Sequence, residues 1–351
     1  MSPTTPGDTA DDVPAAERPP GDGFAAPARR VVVTGATGYL GAQAVAALAA
    51  AGHEVVGVDV RSPAAPLPDG VVARILDVRD PALPDLLTEH RAQAVVHLAA
   101  IVEPPPGMSD AEVRDIDVGG TRNVVAACVA AGVDHLTVTS SGAAYGYHPS
   151  NAGAWLTEDA PLRGHDRFAY SANKRDVEVL LADARLDHPE LAQLVLRPGT
   201  ILGPTTQNLI TALFERRLVL DLAGTDVPFV FVLDRDVVEV IVRGVTGRRS
   251  GTYNLAGDGA LTLAQVARRL RKPRLPIPVP VLRGALATLQ PMRLARYGPE
   301  QVDFLRYRPV LANDALKRDF PGLPTRTSRQ VFDTWARGRG LLPVAPEGGP
   351  P

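Results

Sequence analysis

One cysteine, Cys128, is all the thiol chemistry in a chain of 351 residues. An intrachain disulfide is therefore excluded. No His/Cys cluster stands in for the missing thiolates, so no metal site is expected. A lone thiol fits a reducing cytoplasm. Charge of one sign is also lacking: the net charge of −2 provides no global field favouring nucleic acid or an acidic membrane. No run reaches the roughly 18 apolar residues needed to span a bilayer. The nearest approach, Leu275 to Leu289, is interrupted by Arg283 and three prolines. Lysine is scarce, with only Lys174, Lys272 and Lys317. The stretch Met1 to Ala28 mixes Pro, Gly, Asp and Ala without the continuous apolar core of a secretory signal. It is expected to be a disordered extension (1–28), as is the similar tail 342–351.

From Arg30 the pattern becomes ordered. Val31-Val32-Val33 is a buried-strand run that ends in a glycine-rich turn, and the alanine-rich stretch Ala42 to Ala51 then reads as a helix stopped by Gly52. Further strands are expected at Glu54–Asp59, Val71–Leu76, Ala94–Leu98 and His135–Thr139, with a helical stretch at Ala111–Ala131. Strands alternating with helices predict an α/β, doubly wound parallel sheet of the Rossmann type. After Ser141 a long loop leads to a helix from Phe168 to Ala184 and a strand from Leu194 to Arg197. Beyond Gly203 short strands (Val227–Val232, Gly251–Leu255) mix with helices. The expected division is a dinucleotide-binding domain at 29–203 and, at 204–341, mainly a smaller substrate lobe interwoven with it.

The turn Thr34-Gly35-Ala36-Thr37-Gly38-Tyr39-Leu40-Gly41 sits between the first strand and the first helix. Glycines there serve three ends: a tight turn, close approach of backbone to a pyrophosphate, and close packing of helix on strand. The helix N-terminus offers N–H donors and the positive end of its dipole to phosphate. A glycine series alone is weak in a chain with 32 glycines. Its placement, with Asp59 ending the next strand, carries the reading. A carboxylate at Asp59 accepts hydrogen bonds from adenosine ribose hydroxyls and repels a 2′-phosphate, which favours NAD over NADP. Arg61, close by, works against that preference. Asp77 and Val78, after the third strand, are candidate adenine contacts, or an ordinary solvated strand end.

Tyr170-Ser171-Ala172-Asn173-Lys174 falls in a helical stretch, and i, i+4 spacing puts phenol and ammonium on one face. A phenol titrating near 10 is a poor base at neutral pH, and a neighbouring positive charge favours its ionised form. Such a Tyr exchanges a proton with an alcohol while hydride moves to or from nicotinamide. A plain surface pair would share the spacing. Its position after a fifth parallel strand ending in serines favours the catalytic reading.

The combination resembles the extended short-chain dehydrogenase/reductase superfamily, also called the NAD-dependent epimerase/dehydratase family, from Arg30 to Leu341. The matching pieces begin with the Thr34–Gly41 turn, Asp59, Asp77-Val78 and His97-Leu98-Ala99-Ala100. They continue with Thr139-Ser140-Ser141-Gly142-Ala143-Ala144-Tyr145-Gly146, Tyr170-x-x-x-Lys174, Leu196-Arg197-Pro198 through Gly203-Pro204, and Asn254-Leu255-Ala256-Gly257. The resemblance implies that Ser141 hydrogen-bonds the reacting oxygen, with Ser140 as the alternative. It implies Ala99 and Ala100 beside the nicotinamide ribose, Pro198 at the cofactor, and Tyr170 and Lys174 at the cofactor as well as in catalysis. Along the turn, Gly35, Thr37, Gly38, Tyr39, Leu40 and Gly41 become cofactor contacts. His97, inside an apolar strand, reads as structural, and Tyr145 as packing or substrate contact.

Four departures bear on function. Where nucleotide-sugar members carry Asn in R-x-x-N, this chain has Thr200. Where they carry a phosphate-binding Arg it has Val227-Pro228, an apolar pair unable to neutralise a diphosphate. Gly142-Ala143 replaces the Asp-Glu of sugar dehydratases, which disfavours elimination of water. Asp117 stands where the family usually has Asn, keeping the acceptor and losing the amide donor. The expected function is reversible, NAD(P)-dependent hydride transfer on a small-molecule hydroxyl or ketone substrate, apolar or weakly charged. Leu209, Ile210, Leu213, Phe214, Leu218 and Val219 are compatible with such a substrate or with a core. Epimerisation of a nucleotide sugar by the same Tyr/Lys pair is the first rival. A non-catalytic dinucleotide sensor is the second, disfavoured by retention of Ser141, Tyr170 and Lys174 together. No nucleic-acid partner is expected, and a homodimer is the candidate assembly.

Overall fold

Alternating valines open the structure. In the computed structural model, Arg30–Thr34 (β1) sends Val31 and Val33 into one apolar layer and Val32 into the opposite one, the period of two that a strand imposes. The structure describes residues 27–343 except 227, 291, 293–297 and 300. Most of both expected terminal extensions therefore lies outside the described residues, as does Val227.

Tyr39–Ala50 (α1), Glu54–Asp59 (β2), Val72–Ile75 (β3), Leu83–Glu89 (α2) and Ala94–His97 (β4) follow in alternation. The expected helix 111–131 is a continuous helical rod with three gaits. Asp110–Arg114 (α3) is α-helical with a Ser109/Glu112 capping box. Residues Asp115–Gly119 form a π turn, and Gly120–Ala130 (α4) is α-helical again. Then come His135–Thr139 (β5), Ala169–Asp187 (α5) and the strand Ala192–Pro198. Gly251–Leu255 returns from the C-terminal half to the edge of the same sheet. The seven strands, all parallel, run in the order Gly251–Leu255, Ala192–Pro198, β5, β4, β1, β2, β3. Strand order reverses at β1, between β2 and β4. Ligands of open α/β sheets bind beyond the carboxyl ends of strands at such a point.

One sheet face packs α1 and Asp234–Gly247 through Val45, Leu48, Ile241 and Val245. The other packs α4 and α5 through Val124, Cys128, Val177 and Leu181. Near-continuous apolar strands follow from burial on both faces.

The C-terminal half builds a second core of Phe214, Phe229, Phe231, Phe332 and Trp335, with Trp335 Nε1 donating to Thr206 O at 3.0 Å. Phe214 and Val219, considered above as substrate contacts, are fully buried in this core and serve packing. The expected strand 227–232 is split. Pro228–Phe229 pairs antiparallel with Leu261–Thr262, and Phe231–Leu233 pairs parallel with Thr200–Leu202. Two different partners force the break at Val230. No helix among the described residues is long and apolar enough to cross a membrane.

Candidate active site

The glycine turn is built by close approach. Gly35 has φ +69°, a conformation that favours glycine, and a Cβ there would lie 2.6 Å from Ala99 N. A Cβ on Gly41 would lie 2.0 Å from Gly35 O, so helix and turn touch only because no side chain intervenes. Gly38 precedes α1, whose N-terminus carries no side-chain cap and no acidic residue in its first turn. Its amides and dipole remain available to an anion. Thr37 Oγ1 is buried without a partner in the same turn. These features fit a dinucleotide pyrophosphate.

Asp59, at the tip of β2, accepts from Thr37 N at 3.0 Å and Arg61 N at 3.2 Å, which fixes the carboxylate beside the turn. The Arg61 side chain is exposed, with Nε 3.8 Å from Asp59. Leu40 packs into the sheet core. Tyr39 points away toward the second lobe: its hydroxyl donates to Asp234 Oδ2 at 2.6 Å and accepts from Thr206 Oγ1 at 2.9 Å. Asp77 is clasped by Arg79, through the backbone N–H at 2.9 Å and Nη2 at 2.7 Å, which holds its carboxyl below the usual range. Val78 packs against the Gly120 backbone.

At the end of β4, His97 is buried between two threonines, 2.7 Å from Thr34 Oγ1 and 3.1 Å from Thr121 Oγ1. Burial, helped by the charge of Lys174, pulls the imidazole down to about 3, so it stays neutral as a structural strut. Ala99 and Ala100 follow, half-buried, beside the glycine turn. The π turn then aims Asp117 inward. Asp117 Oδ1 accepts from Ile101 N at 2.9 Å, tying down the loop after Ala100, and Asn173 Nδ2 approaches Oδ2 at 3.5 Å. Burial raises the Asp117 carboxyl above its ordinary range, and Lys174, the Ile101 amide and Asn173 partly offset this. A π turn at a functional cleft is a recurring placement.

β5 ends in two serines with separate duties. Ser140 is buried and donates to Glu178 Oε1 at 2.5 Å. Ser141 is half-buried and accepts from Ala143 N at 3.1 Å, capping the short 3₁₀ turn Gly142–Tyr145. Ser171 Oγ donates to Ala143 O at 2.6 Å, which pins this turn to α5 beside Tyr170. Lys174, one turn along α5, is buried and donates from Nζ to Thr139 O at 3.0 Å. Its ammonium lies 5.8 Å from the Tyr170 ring centroid. Pro198 ends its strand with its carbonyl toward Gly142. Ser141, Tyr170, Lys174, Pro198 and the Ala99 loop thus gather at the carboxyl ends of adjacent strands.

Sequence reasoning missed the support beneath them. Glu178 receives Arg197 through Nε at 2.9 Å to both carboxylate oxygens and through Nη2 at 2.6 Å. Arg197 also donates from Nη1 to the Tyr145 hydroxyl and to Glu158 O, both at 2.8 Å. Tyr145 donates to Asn254 Oδ1 at 2.8 Å. Tyr145 is therefore a buried packing residue. The signal for Glu178 was in the sequence: Tyr170, Lys174 and Glu178 recur at i, i+4, i+8 on one helix face.

An aromatic wall adjoins Tyr170. Phe168, at the N-terminus of α5, stacks on Phe304 with centroids 5.3 Å apart, and Tyr147 lies edge-on to both. Arg308 lies against this wall beside Thr200, with Nη2 3.4 Å from Thr200 Oγ1. Nothing in the local sequence pattern singles Arg308 out.

The signature of the NAD dependent epimerase/dehydratase family matches residues 31–256. An uncharacterized protein of Mycobacterium bovis is 27% identical over 328 residues, covering 90% of this chain and 85% of its own length. A sterol demethylase protein B of Methylococcus capsulatus is 28% identical over 340 residues, covering 89% of this chain and 99% of its own. Among solved structures, the UDP-glucose 4-epimerase of Thermus thermophilus in complex with NAD superposes with a TM-score of 0.65 at 24% identity, over 89% of this chain and all of that one. Glycine turn, Asp59 at the end of β2, Tyr/Lys helix and family signature converge: the chain is a member of the NAD-dependent epimerase/dehydratase family, with NAD as its cofactor.

Proposed function

We propose that the protein is an oxidoreductase that interconverts a hydroxyl and a ketone with Tyr170 as acid/base. The observation that carries this is the Tyr170–Lys174 pair, anchored by Lys174 Nζ on Thr139 O and set beside Ser141 at the strand ends. Gly35, Thr37, Gly38 and Gly41 would hold the pyrophosphate, Asp59 the adenosine ribose, and Ala99, Ala100, Pro198 and Lys174 the nicotinamide end. NAD, when bound, supplies the hydride acceptor or donor. In the oxidising direction the Tyr170 oxygen takes the hydroxyl proton as the carbinol C–H bond breaks. The Ser141 hydroxyl donates to the reacting oxygen, and the Lys174 ammonium stabilises the charge on Tyr170. The reverse sequence returns the proton and makes the alcohol.

The chain is 28% identical to a sterol demethylase protein B across nearly that protein's whole length, which supports an oxidoreductase working on an apolar body. Epimerisation of a nucleotide sugar is the second reading, favoured by the fold shared with UDP-glucose 4-epimerases. Residues 29–203 would act as the dinucleotide-binding domain and 204–341 as the interwoven substrate lobe, in a cytoplasmic enzyme. Purified protein offered NAD and a panel of sterols, hydroxy acids and simple alcohols tests the proposal. Net NADH production supports it, whereas conversion of UDP-glucose to its epimer without net NADH selects the second reading.

A further inference from the structure

The guanidinium of Arg308 is held as a slab between two rings, its central carbon 4.3 Å from the Phe229 centroid and 4.7 Å from that of Phe304. Nη2 has only the long contact to Thr200, and Nη1 is buried without any partner. No carboxylate pairs with Arg308 among the described residues. Burial pulls this group down to about 10, so it remains charged at neutral pH. A buried ion without a counter-ion is costly, and stacking on aromatic faces offsets only part of that cost. An anion at the part-buried Nη2 edge would supply the missing counter-charge.

The place is functional. Phe304 contacts Phe168 and Tyr147, and Phe168 is two residues from Tyr170. Phe304 thus links the guanidinium of Arg308 to the ring cluster that flanks Tyr170. Thr200 occupies the R-x-x-N position, and Phe229 follows the Val227-Pro228 pair that replaces the phosphate-binding Arg. One guanidinium therefore stands beside both Thr200 and Phe229.

We propose that Arg308 binds a single carboxylate of the substrate through its guanidinium, at the part-buried Nη2 edge beside Thr200, so that the substrate is a hydroxy or keto compound carrying one carboxylate beside an apolar body. The identity of that compound as a redox substrate rests on the Tyr170 reading; the anion site does not. One guanidinium with one unpartnered nitrogen, walled by phenyl rings, suits a monoanion next to hydrocarbon. A diphosphate, with at least two charges, would be left half compensated.

The test is calorimetric titration of NAD-saturated protein with benzoate, its neutral isostere benzamide, and phenylphosphonate. Benzoate should bind at least 10-fold tighter than benzamide. Arg308→Met should abolish that preference while leaving benzamide affinity unchanged and the melting temperature of the NAD-saturated protein equal or higher, because a desolvated charge is removed. If the Met variant does not fold, Arg308→Gln and Arg308→Lys are measured in its place, with the preference lost in Gln and retained in Lys. Equal binding of benzoate and benzamide, or a preference that survives the loss of Arg308, overturns the proposal. Phenylphosphonate binding 10-fold tighter than benzoate overturns the carboxylate in favour of a phosphate. Tyr170→Phe should leave benzoate binding intact, so failure of the redox reading and failure of the anion site are told apart.

Discussion

Removing the Glu178 carboxylate should destabilise the protein more than any comparable surface change. Glu178 and Arg197 have side chains 5% and 7% exposed, so neither ion has recourse to water once its partner is lost. Glu178→Ala deletes three contacts from Arg197, at 2.9, 2.9 and 2.6 Å, and leaves the Ser140 hydroxyl without its acceptor. What remains on Arg197 is the Tyr145 hydroxyl and Glu158 O, both neutral. Breaking a buried ion pair from one side costs about 3–5 kcal/mol, against ~0–1 kcal/mol for an exposed pair. Urea unfolding of the NAD-free protein should therefore show a loss near 3 kcal/mol for Glu178→Ala. Arg197→Met/Glu178→Leu, which removes both charges together, should recover much of it. The recovery separates an uncompensated ion from simple loss of contacts. A single-variant cost below 1 kcal/mol, or a double variant no better than the single, would refute the reasoning.

Two further outcomes follow from the site. Asp59→Ala removes a charged acceptor that such hydrogen bonds value at about 1.5–3 kcal/mol. NAD affinity should fall roughly 10-fold or more, with NADP affinity unchanged or improved, read by calorimetric titration; an unaltered NAD/NADP ratio would contradict the assignment of Asp59. For Asp117, burial raises the folded-state carboxyl above its unfolded value. The protonated form then favours the fold, and that stability is lost as pH rises through the window above 3.8. Asp117→Asn does not titrate, so its stability relative to the parent should improve from pH 4 to pH 7 in denaturant unfolding. A difference independent of pH would show that Asp117 is not held in this way.

Much of the fold was legible because its signals are local. Val31–Val33 running into Gly35, the alanine-rich α1 stopped at Gly52, and the repeated strand–helix spacing each follow from burial on both sheet faces or from a φ that glycine favours. Tyr170 and Lys174 were legible because helical spacing alone puts them on one face. What escaped depends on distant segments. Arg197 meets Glu178 only once strand and α5 are packed, and Arg308 reaches Thr200 across 108 residues. The π turn that aims Asp117 at Ile101 has no residue signature in the local sequence. For Phe214 and Val219 the sequence left substrate wall and core both open, because apolarity does not distinguish them, and packing decides for the core.

The most direct test of the account is the turnover of Tyr170→Phe at saturating NAD with a substrate identified by the NADH screen. The substitution removes one oxygen and leaves the Lys174–Thr139 anchor and the glycine turn untouched, so folding and NAD affinity should match the parent. Turnover should fall by roughly 10²-fold or more, the usual worth of a positioned proton-transfer group. A variant that keeps most of the parent's activity would contradict the assignment of Tyr170 as acid/base, and with it the proposed mechanism.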